Sequence, residues 1–139
     1  MIKELVKDTA ILSQRCEAGT AEDAELAQDL IDTVQSLEDA SCLAANQIGV
    51  TKSVVVYVTD DGEAHVMFNP RIMMGLRASK MMEACLTLEE PSKVTRYDKI
   101  KVAYQELVDG ELKDRRRDFT GWEAQMIQHM VDHCRGKLV

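Results

Sequence analysis

In the first third of the chain, apolar residues recur at every third or fourth position, a spacing that predicts an amphipathic helix. The leucine, isoleucine and valine side chains between Leu26 and Leu37 follow this spacing and would share one helix face. Thr20 and Asp23 precede this run with the spacing of a capping box. We therefore predict a helix from Ala21 to Leu37.

The middle of the chain contains β-branched runs separated by turn residues, a pattern that predicts antiparallel hairpins. Ser53–Val58 is typical of a buried strand, and the Asp-Asp-Gly sequence at 60–62 predicts a tight turn. His65–Phe68 is the expected return strand, and Asn69-Pro70 is expected to end it. We interpret His65 as an ordinary strand histidine with no second metal ligand nearby.

A second hairpin is predicted nearer the end of the chain. Apolar and polar residues alternate from Lys99 to Leu107, Asp109-Gly110 supplies a turn, and Leu112–Phe119 is the return strand. The basic run Arg115–Arg117 lies in that return strand. Because the chain as a whole is acidic, we interpret the run as a solvated strand edge rather than a phosphate-binding patch.

Two other segments show no clear period. Ala40–Gly49 is rich in small residues, and we predict a loop that packs closely against the rest of the protein. Residues 71–82 contain two pairs of adjacent methionines, which we interpret as irregular filling of the core.

The last predicted helix carries the most informative residues. It is expected to begin after Thr120, where Glu123 completes a capping-box spacing, and to end at Gly136. Apolar residues cover much of its circumference, which predicts a central, buried helix. His129 and His133 are four residues apart, so both imidazoles lie on one face, where they could bind a single metal ion.

Composition removes several classes of protein. The chain has 139 residues, a formal net charge of −7 and 45% hydrophobic residues, which fits one folded domain over residues 1–139 and excludes a disordered chain. The acidic charge disfavours a nucleic-acid partner, and no apolar run reaches the roughly 20 residues of a membrane span. The charged start of the chain lacks a signal-peptide pattern, so we expect a cytoplasmic protein with reduced cysteines.

Three motifs resemble those of the peptide deformylase family, and they occur in the family's order. Residues 128–133, Gln-His-Met-Val-Asp-His, resemble its Q-H-E-x-D-H helix. Residues 83–87, Glu-Ala-Cys-Leu-Thr, resemble its E-G-C-L-S segment, and residues 40–47 resemble its G-x-G-x-A-A-x-Q segment. The resemblance covers essentially the whole chain, which is identified as a member of the family's short branch.

The resemblance implies an α+β fold with antiparallel β-sheets packed around a central, buried, metal-binding helix. It implies one divalent transition metal held by Cys85, His129 and His133, with Fe(II) expected in vivo and Zn or Ni as alternatives. The implied partner is an N-formyl-methionyl peptide or nascent chain, with no nucleic acid or membrane. The Gln47 side chain and the Leu86 backbone N–H would stabilise the oxyanion that forms at the formyl carbonyl.

Other positions match family residues around the metal and the substrate groove. The resemblance places Glu83 and Asp132 behind the metal ligands, and Glu83 also beside the groove, which it lines with Cys42, Leu43 and Ala84. Cys42 and Ala84 stand where the family has glycine, so their side chains are expected to narrow the groove. Cys42 could also compete as a thiolate for the metal.

The chain departs from the family at the position of the general acid/base. Where the family helix has Glu, this chain has Met130, and a thioether cannot carry a proton at any relevant pH. General acid–base catalysis contributes roughly 10²–10⁴-fold, so we expect weak or absent deformylase activity. The alternative is a non-catalytic, metal-binding homologue that binds formyl peptides or another partner. The sequence does not show whether the Glu was replaced by Met130 through engineering. It also does not determine the oligomeric state.

Overall fold

The computed structural model describes residues 1–38, 40–85 and 90–139. Within these ranges, five strands form one antiparallel sheet in the order β1-β2-β3-β4-β5, so each strand pairs with its neighbours in sequence. The strands are β1 (Cys42–Ala44), β2 (Val54–Val58), β3 (Ala64–Glu83), β4 (Ser92–Val108) and β5 (Glu111–Thr120). The helices are α1 (Thr9–Leu12), α2 (Ala24–Ser36) and α3 (Gly121–Cys134), with short 3-10 turns at Ala21–Asp23 and Ala45–Ile48.

The sheet separates two apolar clusters, and one helix covers each cluster. Leu30 and Val34 of α2 pack in one cluster with Val56 of β2, whereas Ile127 of α3 packs in the other with Val55. Neighbouring residues of β2 enter opposite clusters because successive side chains of a strand point to opposite faces. The α+β class and the buried position of α3 are confirmed, although the described strands form one sheet rather than several.

The helix predicted from Ala21 to Leu37 is confirmed, but its first turn is a 3-10 turn rather than α-helix. The capping box is present, and the backbone N–H of Thr20 donates to the Asp23 carboxylate at 2.8 Å. The first turn, Ala21–Asp23, is a 3-10 turn, and α2 continues to Ser36.

The segment from position 40 to position 49 is not a loop throughout. Cys42–Ala44 forms β1, which pairs with Val55–Tyr57 of β2, and Ala45–Ile48 forms a 3-10 turn. A strand of three residues is too short to show an alternating pattern, which is why the sequence did not reveal it.

Asn69-Pro70 bends β3 rather than ending it, so that prediction is wrong. Asn69 has φ 53°, and the pairing of β3 with β4 shifts register between Phe68 and Arg71. The Asn69 side chain accepts a hydrogen bond from the Gly19 N–H at 2.8 Å and donates to the Gly19 carbonyl at 3.0 Å. Asparagine tolerates this left-handed backbone better than most residues, and contacts distant in sequence hold the resulting bulge.

The methionine pairs on β3 do not fill the core, which corrects a second expectation. Met73, Met74 and Met82 are 48%, 55% and 62% exposed. The contributions of β3 to the two apolar clusters stop at Ile72. The outer part of the β3–β4 hairpin therefore lies beyond the area that the clusters cover.

β5 leads directly into α3, and this connection replaces the predicted capping box. Thr120 is the last residue of β5 and pairs with Lys99, and its side chain forms no capping hydrogen bond. At the other end, Gly136 has φ 75° and its N–H donates to the His133 carbonyl at 3.0 Å, as predicted for a terminating glycine. Arg115–Arg117 are exposed on β5, an edge strand, which agrees with the interpretation as a solvated edge.

Candidate metal centre

Three donor side chains from two parts of the chain meet beside α3. The Sγ atom of Cys85, which follows β3, and the ring nitrogens of His129 and His133 on α3 lie within 4.8 Å of one another. His133 Nε2 is 3.5 Å from Cys85 Sγ, and the centroids of the two imidazole rings are 4.8 Å apart. The fold thus brings together the three residues that the sequence analysis assigned as metal ligands.

This donor set fits a divalent transition metal. Thiolate and imidazole are ligands that Fe, Zn and Ni share, and three protein donors leave a fourth position open, as in catalytic rather than structural sites. Burial disfavours a charged His129, but hydrogen bonds to Cys85 and Glu83 more than offset this and raise its pKa to about 9. The cluster therefore stabilises positive charge at the point where a metal cation would bind.

Glu83, at the end of β3, orients His129 from behind. His129 Nδ1 lies 2.7 Å from Glu83 Oε1, so the other ring nitrogen is directed towards Cys85. Burial alone would raise the pKa of Glu83, but hydrogen bonds from His129, Arg96 and Gln125 lower it to about 2. The carboxylate is therefore ionised, and an ionised partner of this kind fixes the orientation of a ligating histidine.

A buried arginine that the sequence analysis missed joins the two acidic residues behind the ligands. Arg96 of β4 donates to Glu83 at 2.7 and 2.9 Å and to Asp132 of α3 at 2.7 Å. The burial of Val94 and Arg96 on one face of β4 follows the alternation of a strand. The predicted strand began only at Lys99, so this signal was available but lay outside it.

Two buried amides hold α3 in position. The Gln128 side chain accepts from the Tyr97 N–H and donates to the Tyr97 carbonyl of β4, both at 2.8 Å. Asn46 Nδ2 donates to the His133 carbonyl at 3.0 Å. These bonds connect α3 to β4 just before His129 and to the 3-10 turn after β1 at His133, so tertiary contacts hold the helix at both histidines.

An open cavity of about 490 Å³ lies over the donor cluster. Cys85 and His129 form part of its wall, and apolar side chains of Trp122, Met126 and Met130 on α3 form another part. A cavity with a few polar atoms at one end and an apolar wall is typical of a site for a small ligand.

The residues predicted to line the groove divide into two groups. Cys42, Glu83 and Ala84 line the cavity. Leu43 does not, because its side chain is fully buried in the apolar cluster on the α2 side of the sheet. A side-chain contact between Leu43 and a ligand in the cavity is therefore excluded, which leaves its backbone.

Cys42 is not a competing thiolate. Burial raises the pKa of its thiol to about 12, with smaller contributions from Cys85 and Glu83. Its sulfur is also outside the group of donor atoms that lie within 4.8 Å of one another in the described part of the chain. We therefore describe Cys42 as a neutral thiol in the cavity wall.

Gln47 lies at the wall next to the cluster and is almost fully buried. Its Oε1 accepts a hydrogen bond from the Ala44 N–H at 2.9 Å, and its Nε2 is 3.3 Å from Cys85 Sγ. The amide N–H group is therefore on the side of Cys85, one of the candidate metal ligands. Leu86, the other predicted oxyanion donor, lies outside the described residues.

Met130 occupies the wall position where the family helix has Glu, and it is 2% exposed. Among the lining residues that the structure describes, Glu83 is the one carboxylate. Both of its oxygens accept hydrogen bonds, Oε1 from His129 and Arg96, and Oε2 from Arg96 and Gln125. The described cavity thus holds no carboxylate that is available for proton transfer.

In the β2–β3 hairpin, His65 has acidic neighbours that the sequence analysis did not predict. Asp61 and Glu63 lie within 4.8 Å of its ring, contrary to the expectation of no potential ligand nearby. Both carboxylates are exposed, and His65 stacks on Tyr57 with ring centroids 5.2 Å apart. His65 is a strand histidine, as predicted, with exposed acidic neighbours.

The fold and the Cys-His-His cluster define an α+β protein with a candidate open metal centre. The family model described as polypeptide deformylase matches residues 2–139. The chain belongs to the peptide deformylase family. Within the described residues, no helix has the length and apolar character needed to cross a membrane.

Individual relatives and solved structures agree with this assignment. The peptide deformylase of Clostridium beijerinckii is 38% identical over 141 residues and covers 100% of both chains. Peptide deformylase 2 of Bacillus cereus is 34% identical over an alignment of 140 positions, which covers 94% of this chain and 72% of that protein. The class I type b peptide deformylase of Acinetobacter baumannii, solved with Met-Ala-Ser bound, superimposes with a TM-score of 0.86 at 25% identity, covering 99% of this chain and 97% of that one.

Proposed function

We propose that this chain is a metal-dependent peptide deformylase homologue that binds N-formyl-methionyl peptides and turns them over weakly. The observation that carries the proposal is the cluster of Cys85, His129 and His133 beneath an open cavity. Membership of the family supports the class of substrate, and the Met-Ala-Ser peptide bound by the Acinetobacter baumannii relative is of the type left after deformylation.

The proposed roles follow from the position of each side chain. Cys85, His129 and His133 would hold one divalent transition metal, Fe(II) in vivo or Zn or Ni, which supplies Lewis-acid activation of water and of the formyl carbonyl. The Gln47 amide, 3.3 Å from Cys85 Sγ, would donate a hydrogen bond to the developing oxyanion. The Leu86 N–H remains a proposed second donor.

The apolar wall supports recognition of a methionine side chain. Trp122, Met126 and Met130 offer it an apolar surface beside the ligands, and burial of such a side chain contributes roughly 1.5–3 kcal/mol. Glu83 and Asp132 would act indirectly, since they hold His129 and Arg96 in place.

Weak activity follows from the chemistry of position 130. The family Glu both accepts and delivers a proton, and Met130 can do neither. The described cavity offers no replacement because Glu83 is committed to His129, Arg96 and Gln125.

The decisive experiment compares the wild-type chain with Met130→Glu and Met130→Gln on a formyl-methionyl peptide, with the metal content of each protein measured in parallel. We expect Met130→Glu to raise the rate of formate release by about 10²–10⁴-fold. The glutamine in Met130→Gln has nearly the same shape as glutamate but cannot transfer a proton. The rate of this variant should therefore remain at the wild-type level. A wild-type rate typical of the family would refute weak activity. A Met130→Glu rate no higher than that of the metal-loaded wild type would refute Met130 as its cause, and an absence of bound metal would refute the metal centre.

A non-catalytic binding protein is the second candidate, and the full commitment of the Glu83 carboxylate favours it. Calorimetric titration with a formyl-methionyl peptide separates the two candidates. Binding without formate release supports the second, whereas measurable turnover supports the first.

A further inference from the structure

Two cysteines outside the candidate metal centre lie side by side where the N-terminal segment meets the end of α3. Cys134 is the last residue of α3, and its carbonyl accepts a hydrogen bond from the Cys16 N–H at 2.9 Å. Both side chains are thiols in this structure. The two residues are far apart in the sequence, and the fold makes them neighbours.

The spacing of the two backbones suits a disulfide bond. One hydrogen bond and three covalent bonds separate the Cα atom of Cys16 from that of Cys134, so the two Cα atoms are no more than about 7 Å apart. Disulfides span Cα distances of about 4.4–6.8 Å. The thiols are also within electrostatic range of each other, because burial raises the pKa of Cys134 to about 12 and the charge of Cys16 adds to that rise.

Further contacts hold the segment that carries Cys16 in place. The Glu17 N–H donates to the Thr51 carbonyl at 3.0 Å, and the Glu17 carbonyl accepts from the Ser53 N–H at 2.8 Å. On the other side, a Cβ atom at Gly136 would lie 2.5 Å from the Ser13 carbonyl oxygen. The segment is therefore packed closely against the turn that follows α3, and the two cysteines lie at this junction.

The two thiols differ in their access to solvent. Cys16 is partly exposed, whereas Cys134 is 7% exposed. A small oxidant in solution therefore reaches Cys16 first. The buried Cys134 is the neighbouring thiol that can then react with oxidised Cys16.

We propose that Cys16 and Cys134 form a reversible disulfide bond that fastens the N-terminal segment to the end of α3. The oxidant is a low-molecular-weight disulfide such as oxidised glutathione. The Cys16 thiolate attacks one sulfur of the oxidant and displaces one thiol, and the Cys134 thiolate then attacks the Cys16 sulfur and displaces the second thiol. The protein loses two electrons and two protons, and the oxidant leaves as two thiols.

The disulfide would act on the part of α3 that carries the second candidate histidine ligand. Cys134 follows His133 directly, so a bond to Cys16 restrains the last turn of the helix. The bond also closes a loop that contains every element from α2 to α3, and closure of a long loop removes more entropy from the unfolded chain than closure of a short one. We therefore expect oxidation to stabilise the fold and to protect the end of α3 from local opening. The bond requires neither metal nor peptide, so it is independent of the proposed function.

The first test identifies the bond by mass spectrometry. The folded full chain is incubated with mixtures of reduced and oxidised glutathione, alkylated and digested with trypsin. Residues 16–52 contain no lysine or arginine before position 52, so the tryptic peptide of Cys16 also carries Cys42, and Cys42→Ser removes this ambiguity. We expect peptide 16–52 of this variant to be linked to peptide 118–135, which carries Cys134.

Three results of this experiment would overturn the proposal. Glutathione that stays on Cys16 as a mixed disulfide would show that Cys134 does not reach it. A link that joins either thiol to Cys85 instead would show a different pairing. A link between Cys16 and Cys134 that forms only in urea would show that the folded protein does not hold the two thiols together.

The second test measures what the bond does to the fold. The thermal midpoint of oxidised wild type should lie about 5–15 °C above that of the reduced protein, given the length of the closed loop. The amide hydrogens of residues 135–137, which bond to carbonyls in the last turn of α3, should exchange more slowly after oxidation. Cys16→Ser should abolish both effects, and Cys42→Ser should retain them.

A second variant guards against a loss of folding. Cys16 is partly exposed, so Cys16→Ser is expected to fold, and Cys134→Ala removes the other thiol without placing a hydroxyl group in the core. Oxidation should shift the midpoint of neither variant. A linked wild-type protein with an unchanged midpoint and unchanged exchange at residues 135–137 would overturn the fastening of α3, and so would equal shifts in wild type and Cys16→Ser.

Discussion

The Arg96 guanidinium and the Glu83 carboxylate form a buried, two-pronged ion pair, with N–O distances of 2.9 and 2.7 Å. Each side chain is 5% exposed. The pair connects β4 to the end of β3, two residues before Cys85. It therefore supports both the sheet and the position of the candidate metal ligands.

Removal of Arg96 should destabilise the protein strongly. Arg96→Met keeps the apolar stem but removes the guanidinium that pairs with the buried Glu83 carboxylate, and loss of one partner of a buried pair costs about 3–5 kcal/mol. Urea denaturation followed by circular dichroism would measure the free energy of unfolding. Arg77→Met is the matched control, because the Arg77–Asp98 pair is exposed on both sides and should contribute less than about 1 kcal/mol. Equal losses in the two variants would contradict the importance of burial.

Replacement of Glu83 should weaken metal binding. Glu83→Gln removes the ionised acceptor 2.7 Å from His129 Nδ1, and we expect the Zn(II) affinity to fall by about 10- to 100-fold. Asp132→Asn serves as the comparison, because Asp132 shares Arg96 with Glu83 but forms no hydrogen bond with His129 among those described. The prediction fails if the two variants lose affinity equally, since that would assign the effect to Arg96 rather than to the histidine contact.

The end of α3 depends on glycine at position 136 for two separate reasons. Gly136 has φ 75°, and a Cβ atom there would lie 2.5 Å from the Ser13 carbonyl oxygen. Gly110 has a similar φ of 80° but no atom within 4 Å of such a Cβ. We expect Gly110→Ala to cost about 1 kcal/mol from backbone strain and Gly136→Ala to cost at least about 2 kcal/mol, because steric overlap adds to the strain. Thermal unfolding of the two variants would check the difference, and similar losses would rule out the overlap.

The hydroxyl group of Tyr57 should lose its proton at a higher pH than that of an exposed tyrosine. Burial raises the pKa of its hydroxyl group to about 12, above the ordinary value near 10. The neutral phenol is therefore favoured in the folded state. Its contribution to stability is complete below about pH 10 and is lost as the pH rises through about 12. An absorbance titration of phenolate should show a final step that Tyr57→Phe removes, and a titration unchanged by that substitution would contradict the assignment.

The local pattern of the sequence was sufficient for the helices α2 and α3 and for the identities of the candidate metal donors. The periodic run that becomes α2 begins after the predicted capping box, and the histidine pair lies on a buried helix as predicted. The motif resemblance pointed to Cys85, which the fold brings within 4.8 Å of both histidine donor atoms. These features could be predicted because each depends on spacing within one short segment.

Features that depend on distant contacts could not be predicted in the same way. Asn69 continues β3 because its side chain bonds to Gly19, 50 positions away. Arg96 is buried because Glu83 and Asp132 approach it from two other elements. The side chain of Leu43 lies on the opposite face of the sheet from Cys42, an outcome set by the register with β2.

The sequence by itself thus determined the type of donor atoms and the absence of a carboxylate at position 130. Only the tertiary structure decided what surrounds that position, because the cavity wall is assembled from β1, the end of β3 and α3. Packing of these elements buries Met130 beside Cys85 and His129 and commits Glu83 to Arg96. The fold therefore places the Met130 side chain in the wall of the cavity that Cys85 and His129 also line.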